Sequence, residues 1–394
     1  MKTIWRKKKI IGAGAICLTL VGGCTARAPH VPSGAAATAR QAQTVGQQAE
    51  AALPQAATAR AEPSGQRVEA GMNQFASRAS ETLSEREVRR FKKISTHEHF
   101  RTGGDIKPYL AAMKRANIEK AVFVPTAWPP SNPQSKENLQ ELLALQRQYP
   151  KKIIVFATAY NKDPKAAMIL EEALKSGAQG IKFIDWLASA KYPDDAGPVD
   201  SPNMYRVYEI ARRHRIPVLM HIDFQKRPEW KVQFERAATD FPDVTFILAH
   251  YCRAASGLTP ALDLCADTLD KFPQVVVDMS MGGGLKRYMR YFDADPQGWR
   301  EFVLRYQDRL FWGTDTILDG NPNKDAAWVW HRMLTDFVMF QSTFYQSPFH
   351  QEDKTLHRGL ALPASVLRKI YYDNPQRLLF NKSRIVNHTQ MKTP

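Results

Sequence analysis

Histidines that end short apolar runs are the residues of this sequence best suited to chemistry. His97 and His99 flank Glu98 in "ISTHEHFR", residues 94–101, directly after a run with strand character. Side chains alternate between the two faces of a strand, so the two histidines point to one side and Glu98 to the other. Two imidazoles on one face can hold one metal ion. The triplet alone is compatible with the start of a metal site or with a polar strand end, and alternation places Glu98 behind the histidines or packed away from them.

Other polar residues recur where later apolar runs end. Lys182 lies in the fourth run, His221 ends the fifth, His250 ends the sixth and Asp315 ends the eighth. Taken singly, each has a structural explanation: a hydrogen-bonded histidine, a lysine paired with Asp185, or an aspartate that caps a helix. Their occurrence in one series of runs favours a common site instead. Three histidines and one carboxylate suit Zn²⁺, with Mn²⁺ or Fe²⁺ as alternatives.

The runs and the segments between them predict the elements that position these residues. Amphipathic segments separate eight apolar or β-branched runs, at 92–97, 120–126, 152–160, 178–184, 216–222, 244–250, 274–280 and 309–315. Eight strands, each followed by a helix, are typical of an α/β fold, the (β/α)₈ TIM barrel, whose strand ends meet at one catalytic rim. A doubly wound open sheet is the alternative fold. The absence of a glycine-rich first turn argues against it.

Six motifs occur in a fixed order along most of residues 92–380. They are "THEHF", "GAQGIKF", "VLMHIDF", "FILAHYC", "FWGTDT" and the closing "LRKIYYDNPQRLLF". In this order they resemble the amidohydrolase superfamily, in particular its amidohydrolase-related branch, which includes aminocarboxymuconate-semialdehyde decarboxylase-like proteins. The resemblance implies a metal-dependent TIM-barrel enzyme. The sequence departs from the family at "STH", where an acidic residue usually stands shortly before the first histidine.

The resemblance also implies a role for each residue at the strand ends. His97, His99, His221 and Asp315 match the metal ligands, and Asp315 matches a carboxylate that also handles a proton. His250 matches a residue that ligates metal or polarises the substrate. The branch most often uses one metal ion, so one ion is expected here rather than two.

Three basic residues near strand ends have more than one interpretation. Lys182 occupies the strand that supplies a carboxylated bridging lysine in two-metal members, and it would equally suit substrate contact. Arg101 and Arg253 would bind a substrate carboxylate, with a surface salt bridge as the simpler alternative. The three basic residues thus favour the hypothesis that the substrate is a small acidic molecule.

Hydrolysis is the first of three functional hypotheses. A metal-activated water would attack an ester, lactone or amide of a small, acidic molecule, with Asp315 as acid and base. A decarboxylase on the same site is the second hypothesis, because the ligand set would be identical. An inactive barrel that serves as a surface binding protein is the third, and the presence of all the expected ligands argues against it.

The N-terminus has the layout of a secretory signal. Basic residues precede an apolar run that is too short for a permanent membrane span, and "LVGGC" resembles a bacterial lipobox. The resemblance implies removal of residues 1–23 and lipid attachment to Cys24. We expect an Ala/Gln/Pro-rich, mostly disordered tether over 24–84, the barrel over 85–385 and a tail over 386–394. The protein is thus predicted to be exported and anchored by lipid to a bacterial membrane, facing the periplasm.

The composition narrows the class of partner. The formal charge is +16, which would suit anionic substrates or a membrane surface, although a solvated basic face is the simpler explanation. No basic stripe interleaved with aromatic residues indicates nucleic-acid binding. A small-molecule substrate is therefore expected, and the sequence is compatible with a homo-oligomer. Cys252 and Cys265 would pair in an oxidising compartment or stay as buried thiols.

Overall fold

The structure is a computed structural model, and it describes residues 81–126, 134–158, 162–184, 198–253 and 261–380. The predicted signal segment, Cys24 and nearly all of the predicted tether lie outside these residues. None of the helices within the described ranges combines the length and the hydropathy needed to cross a membrane.

A parallel sheet forms the centre of the fold. Its strands are β1 (Lys93–Phe100), β2 (Ile118–Pro125), β3 (Ile153–Thr158), β4 (Gly180–Ile184), β5 (Val218–His221), β6 (Phe246–Leu248), β7 (Val275–Asp278), β8 (Leu310–Phe311) and β9 (Ile317–Leu318). The spatial order is β8-β7-β6-β5-β4-β3-β2-β1-β9: from β1 to β8 it follows the chain without a reversal, and β9 lies beside β1. All eight predicted runs contain a strand. The sequential order excludes the doubly wound alternative, in which the strand order reverses.

Helices alternate with these strands, as the amphipathic segments predict. They are α1 (Glu85–Arg89), α2 (Lys107–Ala116), α3 (Gln134–Gln148), α4 (Ala166–Lys175), α5 (Pro202–His214), α6 (Pro228–Asp240), α7 (Leu262–Lys271), α8 (Leu285–Ala294), α9 (Pro296–Tyr306), α10 (Ala326–Gln341) and α11 (Ala364–Arg368). Local signals set several boundaries. Ser201 accepts a hydrogen bond from the backbone N–H of Met204 at the start of α5, and Arg215 ends that helix in a left-handed conformation.

One chain segment joins the two edges of the sheet. Residues 310–318 contain β8, which pairs with β7, and β9, which pairs with β1. Between them, the backbone N–H of Thr96 donates to Trp312 O at 3.0 Å, and that of His99 donates to Thr316 O at 2.8 Å. The segment therefore hydrogen-bonds to the last and the first strand at once. This parallel α/β sheet is compatible with the predicted (β/α)₈ barrel.

The side chains of the strands divide into two apolar cores. The larger core lies between the strands and the surrounding helices. A smaller core gathers the alternate residues of the same strands, among them Phe156, Leu219, Val276 and Phe311. Leu379, in the "RLLF" motif near the C-terminus, packs into this inner core. The alternation of faces along each strand explains the division and fixes which residues face inward.

The helix after the eighth strand, α10, is rich in aromatic residues, and ten of its sixteen residues are buried. It therefore packs as part of the larger apolar core. Arg332 in this helix donates to Asp336 Oδ1 at 2.6 Å and to Thr314 O at 2.9 Å. The helix thus also contacts the segment between β8 and β9.

Candidate metal centre

The polar residues predicted from the strand ends converge on one end of the sheet. His97 and His99 come from β1, Lys182 from β4, His221 from β5, His250 from the turn after β6, and Asp315 from the segment between β8 and β9. They lie beyond the inner apolar core on the carboxyl side of the strands. Their position agrees with the catalytic rim expected of a (β/α)₈ barrel.

His97 Nε2 has three polar neighbours. It lies 3.0 Å from Lys182 Nζ, 3.2 Å from His99 Nε2 and 3.7 Å from Asp315 Oδ1. The Nε2 atom of His99 is itself 3.1 Å from Asp315 Oδ1. His97 and Lys182 are completely buried, so water does not satisfy these atoms. The cluster is dense in nitrogen and oxygen atoms that a cation could bind.

The proton on His250 is fixed by a backbone carbonyl. His250 Nδ1 lies 2.9 Å from Ser280 O, which accepts hydrogen bonds and has none to donate. Nδ1 must therefore carry the proton, which leaves a lone pair on Nε2 of the neutral ring. That Nε2 atom is 3.9 Å from Asp315 Oδ2.

Asp278 fixes the proton on His97 in the same way. Its Oδ2 lies 2.6 Å from His97 Nδ1 and also accepts a hydrogen bond from Ser280 Oγ at 2.6 Å. The backbone N–H of Ser280 donates to the other oxygen, Oδ1, at 2.9 Å. A carboxylate partner on Nδ1 is common for histidines that bind metal through Nε2. Asp278 thus directs the Nε2 lone pair of His97 toward Asp315.

The arrangement fits a divalent cation. In a ring that is neutral and protonated on Nδ1, the Nε2 lone pair faces the negative carboxylate of Asp315, and Lys182 Nζ, 3.0 Å from this nitrogen, supplies a positive charge where a metal ion would also bring one. Single ligand atoms of His97, His250 and Asp315 all lie within 4.8 Å of one another. Imidazole nitrogen and carboxylate oxygen are donors that Zn²⁺, Mn²⁺ and Fe²⁺ accept.

The charges of these groups suit the same interpretation. Burial lowers the pKa of His250 to about 3, and burial also lowers the pKa of His99 and of His221. Burial alone would raise the pKa of Asp315, but the imidazoles of His250 and His97 hold it well below its usual range. Neutral imidazoles and an ionised carboxylate are the protonation states that bind metal.

His250 begins an unusual stretch of backbone. Residues 250–253 all have positive φ angles, between 52° and 59°. Tyr288 Oη donates to His250 O at 2.7 Å, which holds the start of the stretch against α8. Cys252, near its end, forms a disulfide with Cys265 in α7. The pairing that the sequence left open is therefore present, and it ties the His250 turn to the helix that follows.

Asp315 also has a positive φ, of 56°, which is uncommon for a residue with a side chain. Its carboxylate lies against Gly282, where a Cβ atom would be only 1.9 Å from Asp315 Oδ2. The backbone N–H of Asp315 donates to His97 O at 2.8 Å. Glycine at position 282 is therefore required for the observed position of the carboxylate.

A cavity of about 220 Å³ opens beside the cluster, as bounded by the described residues. Its lining includes His221, His250, Arg253, Arg287 and Asp315. The Nε2 atom of His221 has no hydrogen-bond partner within the described part of the chain, although it is buried. A buried imidazole nitrogen at the wall of a cavity is suited to bind a ligand that enters it.

The predicted basic residues differ in position. Arg253 lines the cavity, with its Nε 3.6 Å from Asp223 Oδ2. Arg101 is outside the described lining, and its charge acts on Asp319. Lys182 is in the cluster itself, where burial lowers its pKa to about 8. Asp185, the alternative partner of Lys182, lies outside the described residues.

Sequence reasoning missed several residues of this centre. Asp278 and Ser280 stand in "QVVVDMS", at the end of the seventh run, where an acid after three valines was a usable signal. Gly282 belongs to the following "MGGG", which only the contact with Asp315 explains. Arg287 is in α8 and carries no local signal, because it reaches the cavity only through the packing of that helix.

A family model described as amidohydrolase matches residues 86–380. The chain belongs to the amidohydrolase family. The superfamily membership predicted from the six motifs is thereby confirmed, and the protein is a metal-dependent enzyme. No curated protein matches this chain significantly.

Several solved structures are distantly similar. The 2,6-dihydroxybenzoate decarboxylase from Rhizobium is 14% identical, with a TM-score of 0.47 over 73% of this chain and 98% of that one. A 5-carboxyvanillate decarboxylase from Novosphingobium aromaticivorans, solved with manganese, is 12% identical, with a TM-score of 0.45 over 74% and 96%. The 4-oxalomesaconate hydratase from Rhodopseudomonas palustris is 14% identical, with a TM-score of 0.45 over 73% and 95%.

Proposed function

We propose that this amidohydrolase is a metal-dependent hydrolase that cleaves an ester, lactone or amide of a small acidic molecule. The observation that carries the proposal is the pair of Nε2 atoms, of His97 and His250, directed at the carboxylate of Asp315. His97, His99, His221 and Asp315 would hold one divalent ion, with Zn²⁺ the first candidate. When bound, the ion would supply Lewis acidity at the substrate carbonyl.

The two carboxylate oxygens of Asp315 have different neighbours, which would give them different roles. Oδ1 is 3.1 Å from His99 Nε2 and 3.7 Å from His97 Nε2, so this oxygen faces the proposed ligands. Oδ2 is 3.9 Å from His250 Nε2. Both of these atoms accept hydrogen bonds, and they are close enough to accept the two protons of a single water molecule.

We assign proton transfer to Asp315 and orientation of the water to His250 on this basis. Both would hold the attacking water, and Asp315 would take its proton and return it to the leaving group. His250 would accept a hydrogen bond from that water on Nε2, because Ser280 O keeps the ring proton on Nδ1. Donation from His250 to a developing oxyanion is disfavoured for the same reason.

The cavity supports an acidic substrate. Arg253 and Arg287 line it, and Asp315 is the one carboxylate among the described lining residues. A substrate carboxylate would pair with either guanidinium, which binds carboxylates in a bidentate manner. We therefore expect Arg253→Met and Arg287→Met to raise the KM for a carboxylate-bearing ester more than for its uncharged analogue.

Metal analysis and an activity panel test the proposal. The purified protein should retain about one equivalent of a divalent transition metal per chain, and it should hydrolyse a member of a panel of lactones, esters and amides with carboxylate groups. Aromatic carboxylic acids should be included in the panel. Release of CO₂ without consumption of water would replace hydrolysis by decarboxylation on the same site.

Substitution of the proposed ligands separates the site from the fold. His97→Ala and Asp315→Ala should abolish metal retention and turnover, while the circular dichroism spectrum stays unchanged. His214→Ala is the control, because His214 is exposed and bonds to Glu171 on the surface of the barrel. A wild-type rate in Asp315→Ala would refute the proposed mechanism.

We also propose that the protein is exported and anchored through Cys24. The disulfide between Cys252 and Cys265 supports this proposal, since such bonds persist mainly in oxidising compartments. Metabolic labelling with a radioactive fatty acid should mark the wild-type protein and leave Cys24→Ser unlabelled. Labelling of Cys24→Ser would count against attachment at this cysteine.

A further inference from the structure

We infer that Glu98 is a positioning residue that holds Asp315 in place by binding the backbone on both sides of it. This inference rests on the proposed metal centre, in which Asp315 is a ligand. Glu98 stands between two of the proposed ligands, yet it faces the opposite side of β1. Its side chain is completely buried.

The contacts of Glu98 bracket a single residue. Its Oε1 accepts a hydrogen bond from the backbone N–H of Thr314 at 3.1 Å, and its Oε2 accepts one from the backbone N–H of Thr316 at 2.9 Å. Thr314 Oγ1 donates to Oε2 as well, at 2.6 Å. Ser95 Oγ supplies a further hydrogen bond to Oε1. The carboxylate thus binds the residues immediately before and after Asp315.

The segment needs such support because of its conformation. Asp315 has a φ of 56°, in the left-handed region that residues with a Cβ atom rarely adopt. In the same segment, the N–H groups of Thr314 and Thr316 point away from the metal cluster, toward the side of β1 on which Glu98 lies. Without an acceptor these buried N–H groups would be unsatisfied. Glu98 supplies that acceptor and so favours the strained backbone.

Two further hydrogen bonds hold the segment around Asp315 from other directions. Arg332 of α10 donates to Thr314 O at 2.9 Å, and the backbone N–H of Asp315 donates to His97 O at 2.8 Å. Glu98 differs from these partners, because it alone among them binds both flanking residues. The effect on the carboxylate of Asp315 is therefore indirect and passes through the backbone.

Glu98→Gln tests the inference with little change in size. Both oxygens of Glu98 accept backbone N–H groups, so an amide must turn its NH₂ toward one of them. The displaced segment should bind metal more weakly, by about 10- to 100-fold, as is common when a group that orients a ligand is altered. Affinity should be measured with Co²⁺ in competition with a chromogenic chelator, and the visible spectrum of bound Co²⁺ should change in intensity.

Thr314→Val separates positioning from charge. It removes the hydrogen bond from Thr314 Oγ1 and leaves the charge of Glu98 in place. We expect weaker Co²⁺ binding in the same direction and by a smaller factor than for Glu98→Gln. This variant also decides the matter if Glu98→Gln fails to fold.

Asp293→Asn is the matched control. Asp293 accepts the backbone N–H of Arg358 and the ring N–H of His357, each at 2.7 Å, in a part of the molecule away from the cluster. Its loss should lower the melting temperature and leave Co²⁺ affinity within twofold of wild type. If folded Glu98→Gln binds Co²⁺ with wild-type affinity and spectrum, the inference is overturned and the proposed function is not. Thr314→Val takes its place in this comparison if Glu98→Gln does not fold. Absence of Co²⁺ binding by the wild type would overturn both the inference and the proposed function.

Discussion

Asp278 Oδ2 lies 2.6 Å from Nδ1 of His97, and this contact determines which nitrogen of His97 faces the candidate metal centre. Both residues are completely buried, so no water competes for the hydrogen bond. The interaction holds the pKa of Asp278 below its usual value, although burial alone would raise it. Asp278 is thus ionised and accepts the proton on Nδ1, which leaves Nε2 available.

Asp278→Asn should weaken metal binding by about 10- to 100-fold. The two oxygens of Asp278 accept three hydrogen bonds, two from Ser280 and one from His97. No orientation of an asparagine amide satisfies all three donors. If the NH₂ group faces His97, it favours the tautomer with the proton on Nε2, which cannot bind metal.

Isothermal titration with Zn²⁺ measures this effect. Asp293→Asn, the control variant used for Glu98, should bind Zn²⁺ like the wild type. Equal affinity in Asp278→Asn and wild type would show that the tautomer of His97 is set by another group.

His250→Asn should separate orientation of the water from metal binding. We assign His250 to that role, because its Nε2 lone pair is 3.9 Å from Asp315 Oδ2 and both residues line the cavity. The variant should keep its metal while kcat falls by about 10²- to 10⁴-fold, the usual contribution of general acid–base catalysis, because the water loses one of its two acceptors. Metal content by mass spectrometry and kcat should be measured on the same preparation. Loss of the metal together with activity would make His250 a ligand instead.

The eight strands were predictable because short apolar or β-branched runs alternate regularly with amphipathic segments, as buried parallel strands alternate with helices. The convergence of His97, His221, His250 and Asp315 followed from the geometry of a parallel barrel, in which all strands end on one side. Alternation also placed Glu98 correctly on the face away from the histidines.

The remaining features depend on contacts that no local pattern encodes. The partners of Glu98 are Thr314 and Thr316, more than 200 residues later, and they become its neighbours only when the sheet edges meet. The left-handed turn at His250 contains no glycine from which it could be predicted. The disulfide of Cys252 required the position of α7, since a separation of 13 residues is compatible with paired or free thiols. These features arise from three-dimensional packing and cannot be read from the spacing of residues along the sequence.

The disulfide should stabilise the protein by about 3 kcal/mol, as expected for closure of a short loop. Its partners are 13 residues apart in sequence. The double variant Cys252→Ala, Cys265→Ala should show this loss in its free energy of unfolding in urea. Dithiothreitol should lower the stability of the wild type to that of the double variant and leave the double variant unchanged. Equal stability of the oxidised wild type and the double variant would contradict this account.

Lys93 is a buried lysine at the start of β1, on the opposite end of the sheet from the metal centre. Its Nζ donates to Phe91 O at 2.8 Å, to Ala116 O at 2.9 Å and to Val88 O, so it joins α1 and α2 to the first strand. Lys93→Met keeps the apolar stem and leaves these carbonyls without their donor. The free energy of unfolding should fall by about 2–4 kcal/mol at pH 7.

The same variant should change how stability depends on pH. Burial lowers the pKa of Lys93 to about 7, whereas an unfolded lysine titrates near 10.4. Between these values the unfolded chain binds more protons than the folded one, so this residue makes stability rise with pH, by up to about 1.4 kcal/mol per pH unit. Below pH 7 its contribution is constant. Lys93→Met should lack the rise.

Urea unfolding at several pH values from 6 to 10 checks this expectation. Lys92→Met is the matched control, because its side chain is half exposed and its ion pair with Glu119 lies at the surface. Such pairs contribute about 0–1 kcal/mol, so the control should follow the wild-type curve closely. Parallel pH curves for the wild type and Lys93→Met would show that Lys93 stays charged throughout, held by its three carbonyl partners.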